Sequence, residues 1–244
     1  MSFKTALVTG ASRGIGRSIA LTLAANGYHL MITCHKNTDM LEDVKHYIES
    51  HFPVTCITFT GDVGDYPTVL EMYDVFTKHF PSLDVLVNNA GISQIGLLTD
   101  LSPEEWDRII QTNLSSVFYT CRYGIPLMLR RKNGKIVNIS SVWGVTGASC
   151  ETAYSAAKGG VNALTRALAK ELAPSNIQVN AIACGAIDTE MNSFLDEEEL
   201  ESLLLDIPAG RMGRPDEVAS LVLDLCTEND YLTGQVIQLD GGWI

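Results

Sequence analysis

Ala6-Leu7-Val8-Thr9-Gly10-Ala11-Ser12-Arg13-Gly14-Ile15-Gly16 is the stretch on which the fold turns. A short apolar run enters a turn holding three glycines, and the turn opens a segment of helical periodicity. Strand, glycine-rich turn and helix together make a phosphate seat. Glycines let the backbone approach a pyrophosphate, and a helix N-terminus presents unpaired N–H groups. The spacing is Gly-x-x-x-Gly-x-Gly, one residue longer than the common dinucleotide fingerprint. Taken alone, it is also what an ordinary tight turn looks like.

Outward from this turn, β-rich runs alternate with longer helical patterns. The runs lie near Lys4–Thr9, His29–Cys34, Val54–Thr60, Leu83–Asn88, Lys135–Ser140, Ile177–Ile182 and Gln235–Leu239. Helical stretches fall between them at Gly14–Asn26, Met40–His51, Pro67–His79, Pro103–Leu129, Ala153–Leu172 and Pro215–Cys226. Strands alternating with helices predict one doubly wound α/β domain over residues 1–244, a seven-stranded parallel sheet with helices on both faces. Ligands of such sheets bind outside the carboxyl ends of the strands. The segment 190–214 breaks the rhythm with Asp196-Glu197-Glu198-Glu199 and a Pro/Gly-rich end. It reads either as a solvated helix in an insertion or as a mobile lid over the site.

Composition narrows the classes of function. The chain has 244 residues, 46% of them hydrophobic, enough for a sizeable core, and no apolar run long enough to span a membrane. Met1-Ser2-Phe3-Lys4 leads straight into the first run, so no signal peptide is expected. The six cysteines are scattered, without a Cys-x-x-Cys pair, and predict reduced thiols in the cytoplasm. The five histidines do not cluster with them, so no metal site is expected. A net charge of −12 disfavours nucleic acid and anionic membranes as partners.

Tyr154-Ser155-Ala156-Ala157-Lys158 places a phenol and an ammonium four residues apart, on one face of a helix. A nearby ammonium favours phenolate, so the pair is a general acid for a carbonyl being reduced. Ser141 ends the strand upstream, where its hydroxyl is placed to donate to a substrate oxygen.

These motifs resemble the short-chain dehydrogenase/reductase family, from Lys4 to Gly242. They run in order: Thr9–Gly16, Asp62-Val63, Asn88-Asn89-Ala90-Gly91, Asn113, Ser141, Tyr154 and Lys158. The resemblance implies a Rossmann-type dinucleotide fold. It implies that Tyr154 protonates the nascent alkoxide, Lys158 lowers the Tyr154 pKa and holds the nicotinamide ribose, and Ser141 polarises the carbonyl. Asn113 would anchor a water joining Lys158 to solvent. Cofactor contacts are implied for Gly10, Ser12, Arg13, Gly14, Ile15 and Gly16 in the loop. Asp62 and Val63 are implied at the adenine, Asn89, Ala90 and Gly91 along the channel, and Gly185, Ile187 and Thr189 near the carboxamide. Asn88 is expected to tie neighbouring strands. The family usually carries Pro-Gly where this chain has Cys184-Gly185.

NAD users of such folds place an acid at the end of the second strand, against the ribose 2′-OH. Here that position is Cys34, followed by His35 and Lys36, with Arg13 in the glycine loop. Three potential cations in place of an acid predict NADP(H). Within the family the chain resembles the 3-oxoacyl-[acyl-carrier-protein] reductases, which implies a carrier-bound ketone. Of the docking cations of those reductases, Lys132 is present, whereas Ser175 stands at the other position. Glu151, three residues before Tyr154, suits a cationic amino ketone instead. The segment around it resembles reductases of the 5-aminopentanone modification of elongation factor P. Other readings are a carbohydrate or steroid alcohol dehydrogenase and a non-catalytic NADP(H)-binding regulator. The long helices at Pro103–Leu129 and Ala153–Leu172 resemble those through which the family builds dimer interfaces, which implies a homotetramer.

Overall fold

The structure, a computed structural model, describes residues 3–192, 196–227 and 229–244. One sheet is built from β1 (Lys4–Val8), β2 (Tyr28–Cys34), β3 (Cys56–Thr60), β4 (Val85–Asn88), β5 (Gly134–Ser141), β6 (Ile177–Cys184) and β7 (Val236–Leu239). Its order is β3-β2-β1-β4-β5-β6-β7, and each neighbouring pair is parallel. The chain steps outward from β1 to β3, then returns to lay β4 on the other side of β1. That reversal opens a crevice at the carboxyl ends of β1 and β4.

Strand residues alternate between two cores, as the pleat requires. Ala6, Val8, Leu30, Ile32, Val85 and Val87 point to one core, under α1 (Gly14–Ala25), α2 (Thr38–His51) and α9 (Pro215–Thr227). Leu7, Met31, Leu86 and Ile136 point to the other, under α3 (Tyr66–His79), α5 (Ser116–Leu129) and α7 (Thr152–Leu172). A buried polar ladder crosses this second layer. Thr120 Oγ1 donates to Asn88 Oδ1 (2.6 Å), Asn88 Nδ2 to Asn138 Oδ1 (2.8 Å), and Asn138 Nδ2 to Thr165 Oγ1 (2.8 Å). Asn88 thus ties β4 to β5.

The single helix expected over Pro103–Leu129 is divided. α4 (Pro103–Ile110) starts with a capping box between Ser102 and Glu105, a π-turn follows at Gln111–Ser115, and α5 continues. The π-turn carries Asn113, which is fully buried. α6 (Trp143–Thr146), one turn after β5, was not expected from periodicity because it is shorter than any window that detects it. Segment 190–214 holds a 3₁₀ turn at Glu190–Asn192 and α8 (Glu197–Asp206), capped by Asp196 and Glu199. α8 buries no residue, and Leu205 stands 87% exposed. Positions 193–195 of the expected lid lie outside the described residues. Among the described residues no helix is long and apolar enough to cross a membrane.

Candidate active site

The glycine turn between β1 and α1 depends on glycine for two different reasons. Gly10 and Gly14 take φ of +65° and +53°, the left-handed region. Gly16 is needed for closeness: a β-carbon there would lie 2.2 Å from the Gly10 carbonyl oxygen. Asn89 braces the loop, its Nδ2 donating to the carbonyls of Thr9 (3.0 Å) and Gly10 (2.9 Å). Thr9 Oγ1 accepts from the N–H groups of Asn89 and Ala90, both at 3.0 Å. The expected channel residues after β4 are therefore welded to the phosphate seat. Across the loop, a β-carbon on Gly14 would meet Thr189 Cγ2 at 3.4 Å, which brings the residues after β6 to the same crevice. Ile187 is buried behind them, paired with Gly213 in an isolated parallel bridge, and Gly185 donates its N–H to Leu239.

At the end of β2, Cys34 is buried, and the side chains expected to meet a 2′-phosphate each have their own surroundings. Arg13 Nη1 lies 2.5 Å from Glu190 Oε2, and His35 Nε2 lies 3.9 Å from Asp62 Oδ2. Those two side chains have carboxylate neighbours, while Lys36 extends from an exposed turn. Asp62 also accepts from the Gly64 N–H through Oδ1 (2.8 Å), and Val63 is buried beside it. The cleft beside the loop is lined by Ser12, Arg13, Gly14 and also Arg17. Arg17 was missed in the sequence, although its spacing one helical turn after Arg13 puts it on the same side.

The candidate catalytic side chains lie at the carboxyl ends of β5 and β6. α7 sets Tyr154 and Lys158 on successive turns, with Lys158 Nζ 5.5 Å from the centre of the Tyr154 ring. Lys158 is buried, and Nζ donates to the Ile139 carbonyl at 2.8 Å. Ser141 ends β5, is buried, hydrogen-bonds Tyr154, and accepts from the Trp143 N–H at 3.2 Å. Gly144 lets α6 press onto α7, since a β-carbon there would sit 2.6 Å from the Lys158 carbonyl carbon. Gly91 faces both Asn113 and Lys158: a β-carbon on it would lie 3.0 Å from Asn113 Oδ1 and 3.6 Å from Lys158 Nζ. Asn113, Gly91, Lys158, Tyr154 and Ser141 are thus brought together as expected.

The surroundings of Asn113 and Tyr154 bear on their expected roles. Asn113 Oδ1 accepts from the Ile92 N–H at 2.8 Å, and its Nδ2 donates to the Ile92 carbonyl at 2.7 Å. Its side chain is thus a clamp on the loop after β4. Around Tyr154 the influences that raise the phenol outweigh those that lower it. Burial first, then the Glu151 carboxylate and Cys184, push the phenol above its ordinary 10, against the hydrogen bond from Ser141. Burial also pulls Lys158 down, to about 8. Low polarity around both groups opposes both charged forms.

Glu151 lies close enough to Tyr154 to act on it electrostatically. Ser93 Oγ, on the loop after β4, donates to Glu151 Oε2 at 2.6 Å. The carboxylate occupies the N-cap position of α7 without capping it. Ser93 was not legible from the sequence, because nothing local marks a serine 58 residues from its partner. Lys132 and Ser175 lie at the opposite end of the sheet, past the amino ends of β5 and β6, where Asn176 Nδ2 donates to Asn133 Oδ1 at 3.4 Å.

A doubly wound parallel sheet with a glycine-rich first turn and a Ser–Tyr–Lys set beyond its carboxyl ends defines the nucleotide-dependent dehydrogenase class. The sequence pattern of the short chain dehydrogenase family matches residues 4–200, and the chain belongs to that family. It is 40% identical over 241 residues to the uncharacterized oxidoreductase YmfI of Bacillus subtilis (strain 168), with 98% of both chains covered. It is 42% identical over 240 residues to the 3-oxoacyl-[acyl-carrier-protein] reductase FabG of Staphylococcus aureus (strain Mu50 / ATCC 700699), covering 98% of this chain and 97% of that one. Among solved structures it is similar to YwfH, an NADPH dependent reductase involved in bacilysin biosynthesis. The TM-score is 0.93 at 28% identity, covering 100% and 99% of the two chains.

Proposed function

We propose that the chain is an NADPH-dependent ketoreductase that converts a ketone to a secondary alcohol. The observation that carries this reading is the convergence of Ser141, Tyr154 and Lys158 at the crevice where the glycine loop ends. The residues present fit a dinucleotide. Gly10 and Gly14 hold a turn that a side chain would strain, and Gly91 leaves open the space a β-carbon would fill between Asn113 and Lys158. Gly10, Ser12, Gly14, Ile15 and Gly16 would hold the pyrophosphate, Asp62 and Val63 the adenine, and Lys158 the nicotinamide ribose. Ile187 and Thr189 would meet the carboxamide, and Arg13 a 2′-phosphate. The absence of an acid at Cys34 favours NADPH over NADH.

Bound nicotinamide supplies the hydride. Ser141 Oγ holds the ketone oxygen, and the Tyr154 hydroxyl gives that oxygen its proton. Lys158, charged below about pH 8, stabilises the phenolate left behind. Segment 190–214 would close over the cleft as a lid. The six unpaired cysteines suit a reducing compartment, the cytoplasm. Exposed Phe118 and Leu129 on α5 support assembly into a homotetramer.

The first substrate reading is a 3-oxoacyl group on acyl-carrier protein, supported by likeness to FabG. The second is a cationic amino ketone, such as modified elongation factor P. It rests on Glu151, whose carboxylate acts on Tyr154 electrostatically. The deciding experiment follows NADPH oxidation with acetoacetyl thioesters, amino ketones, steroid ketones and modified elongation factor P. Turnover of none of them refutes the ketoreductase reading. Glu151→Gln then separates the substrates: an equal effect on amino and neutral ketones removes the second reading.

A further inference from the structure

Two tryptophans outside the proposed chemistry join the tail after β7 to the turn after β5. The rings of Trp143 and Trp243 lie 4.9 Å apart at 62°, an edge-to-face pair. Trp143 opens α6, two residues past Ser141, and its N–H donates to the Ser141 hydroxyl oxygen. With that lone pair occupied, the hydroxyl proton is turned elsewhere, toward the side where Tyr154 stands.

Trp243 is itself clasped. The Asp240 carboxylate accepts from the N–H groups of Gly242 (3.0 Å) and Ile244 (3.1 Å), and the Gln238 amide donates to the Ile244 carbonyl at 3.2 Å. Gly241 and Gly242 take φ of +69° and +84°, so the tail folds back where other residues are strained. The same tail grips the root of segment 190–214. Ala209 donates its N–H to the Gly241 carbonyl at 3.1 Å, and a β-carbon on Gly241 would lie 3.0 Å from both Ala209 and Ile207. One clasp therefore touches the serine turn on one side and the stretch Ile207–Ala209 on the other.

We propose that Trp243 is a positioning residue for ketone reduction: through Trp143 it fixes the turn that aims the Ser141 hydroxyl, and it ties that turn to the stretch Ile207–Ala209 before α9. The proposal rests on the ketoreductase reading and names a residue that touches neither ketone nor cofactor.

The test compares Trp243→Ala and Trp243→Phe with the wild-type enzyme. Loss of the ring should lower kcat for a small ketone about tenfold or more, because a displaced hydroxyl no longer meets the developing oxyanion. NADPH affinity, read by fluorescence titration, should stay unchanged. Phe keeps an edge-to-face partner and should restore most of kcat. Circular dichroism should show an aromatic exciton couplet in the wild type and none in Trp243→Ala. Trypsin should cut native Trp243→Ala faster after Arg211, two residues past Ala209. Three results overturn the proposal: wild-type kcat in Trp243→Ala, a parallel loss of NADPH affinity and kcat, or a Phe variant no better than Ala. A wild-type chain that reduces no ketone refutes the reductase reading instead, and the couplet and trypsin rates then decide the clasp alone.

Discussion

Tyr154 must give up a proton where its phenolate is hard to keep. Burial raises its pKa first, and Glu151 adds repulsion. Removing the hydroxyl removes the acid without touching the glycine loop. Tyr154→Phe should therefore lower ketone reduction by about a hundredfold or more while the protein still binds NADPH; undiminished NADPH oxidation would refute the assigned mechanism. Lys158 gives a second prediction, in stability. Burial moves its ammonium from 10.5 to about 8. Below pH 8 the folded and unfolded chains both carry the charge, and the folded chain bears its desolvation cost. Between about 8 and 10.5 the folded chain has lost the proton and the unfolded chain still holds it, so this residue's contribution to stability rises with pH. The unfolding free energy of wild type minus that of Lys158→Met should climb across this window, by at most about 3 kcal/mol. A flat difference from pH 7 to 10.5 would contradict it.

The elements most legible in the sequence are those with a long period and a marked end. The apolar run Ala6-Leu7-Val8 and the glycines after it announce β1, its turn and α1, and Tyr154 to Lys158 announce one face of α7. Contacts made across the chain left no such trace. Ser93 meets Glu151, Arg13 meets Glu190 and Trp143 meets Trp243 over separations that no local pattern encodes. The four-residue α6 is too short to show a period. Charge type was readable at Arg13 and His35, but not the carboxylate each would meet. The loop after β4 yields a prediction at this scale. Asn113 holds both polar backbone groups of Ile92, so Asn113→Ala leaves them without that partner. Thermal unfolding should show a loss of about 1–3 kcal/mol, and proteases should reach residues 92–101 sooner. Unchanged stability would mean that water replaces the clamp.

For the whole molecule, net charge sets the sign of a salt effect. At −12 the chain repels an acidic carrier protein at long range, whereas Glu151 attracts an ammonium. Raising ionic strength should increase kcat/KM on a carrier-bound ketone and decrease it on an amino ketone. A decrease with the carrier substrate would reveal a local basic docking patch that outweighs the overall charge. Lys132 and Ser175 lie across the sheet from Tyr154, so such a patch within one chain would stand about 25 Å from the chemistry. Light scattering at micromolar concentration should report four chains, and a monomer would contradict the proposed assembly.

The π-turn at Gln111–Ser115 has a consequence for how this chain tolerates insertions and deletions. A π-turn is an α-helix that has taken in one extra residue. It shifts the phase of everything after it, so α4 faces α7 while α5 faces α3 and β4. Deleting one codon between 111 and 115 would let the helix run straight. The apolar stripe of α5 would keep its face, because the turn gives back the residue it had absorbed; a one-codon deletion inside α5 itself has no such turn to absorb it and would rotate the residues after it by about 100°, beyond the reach of any single substitution.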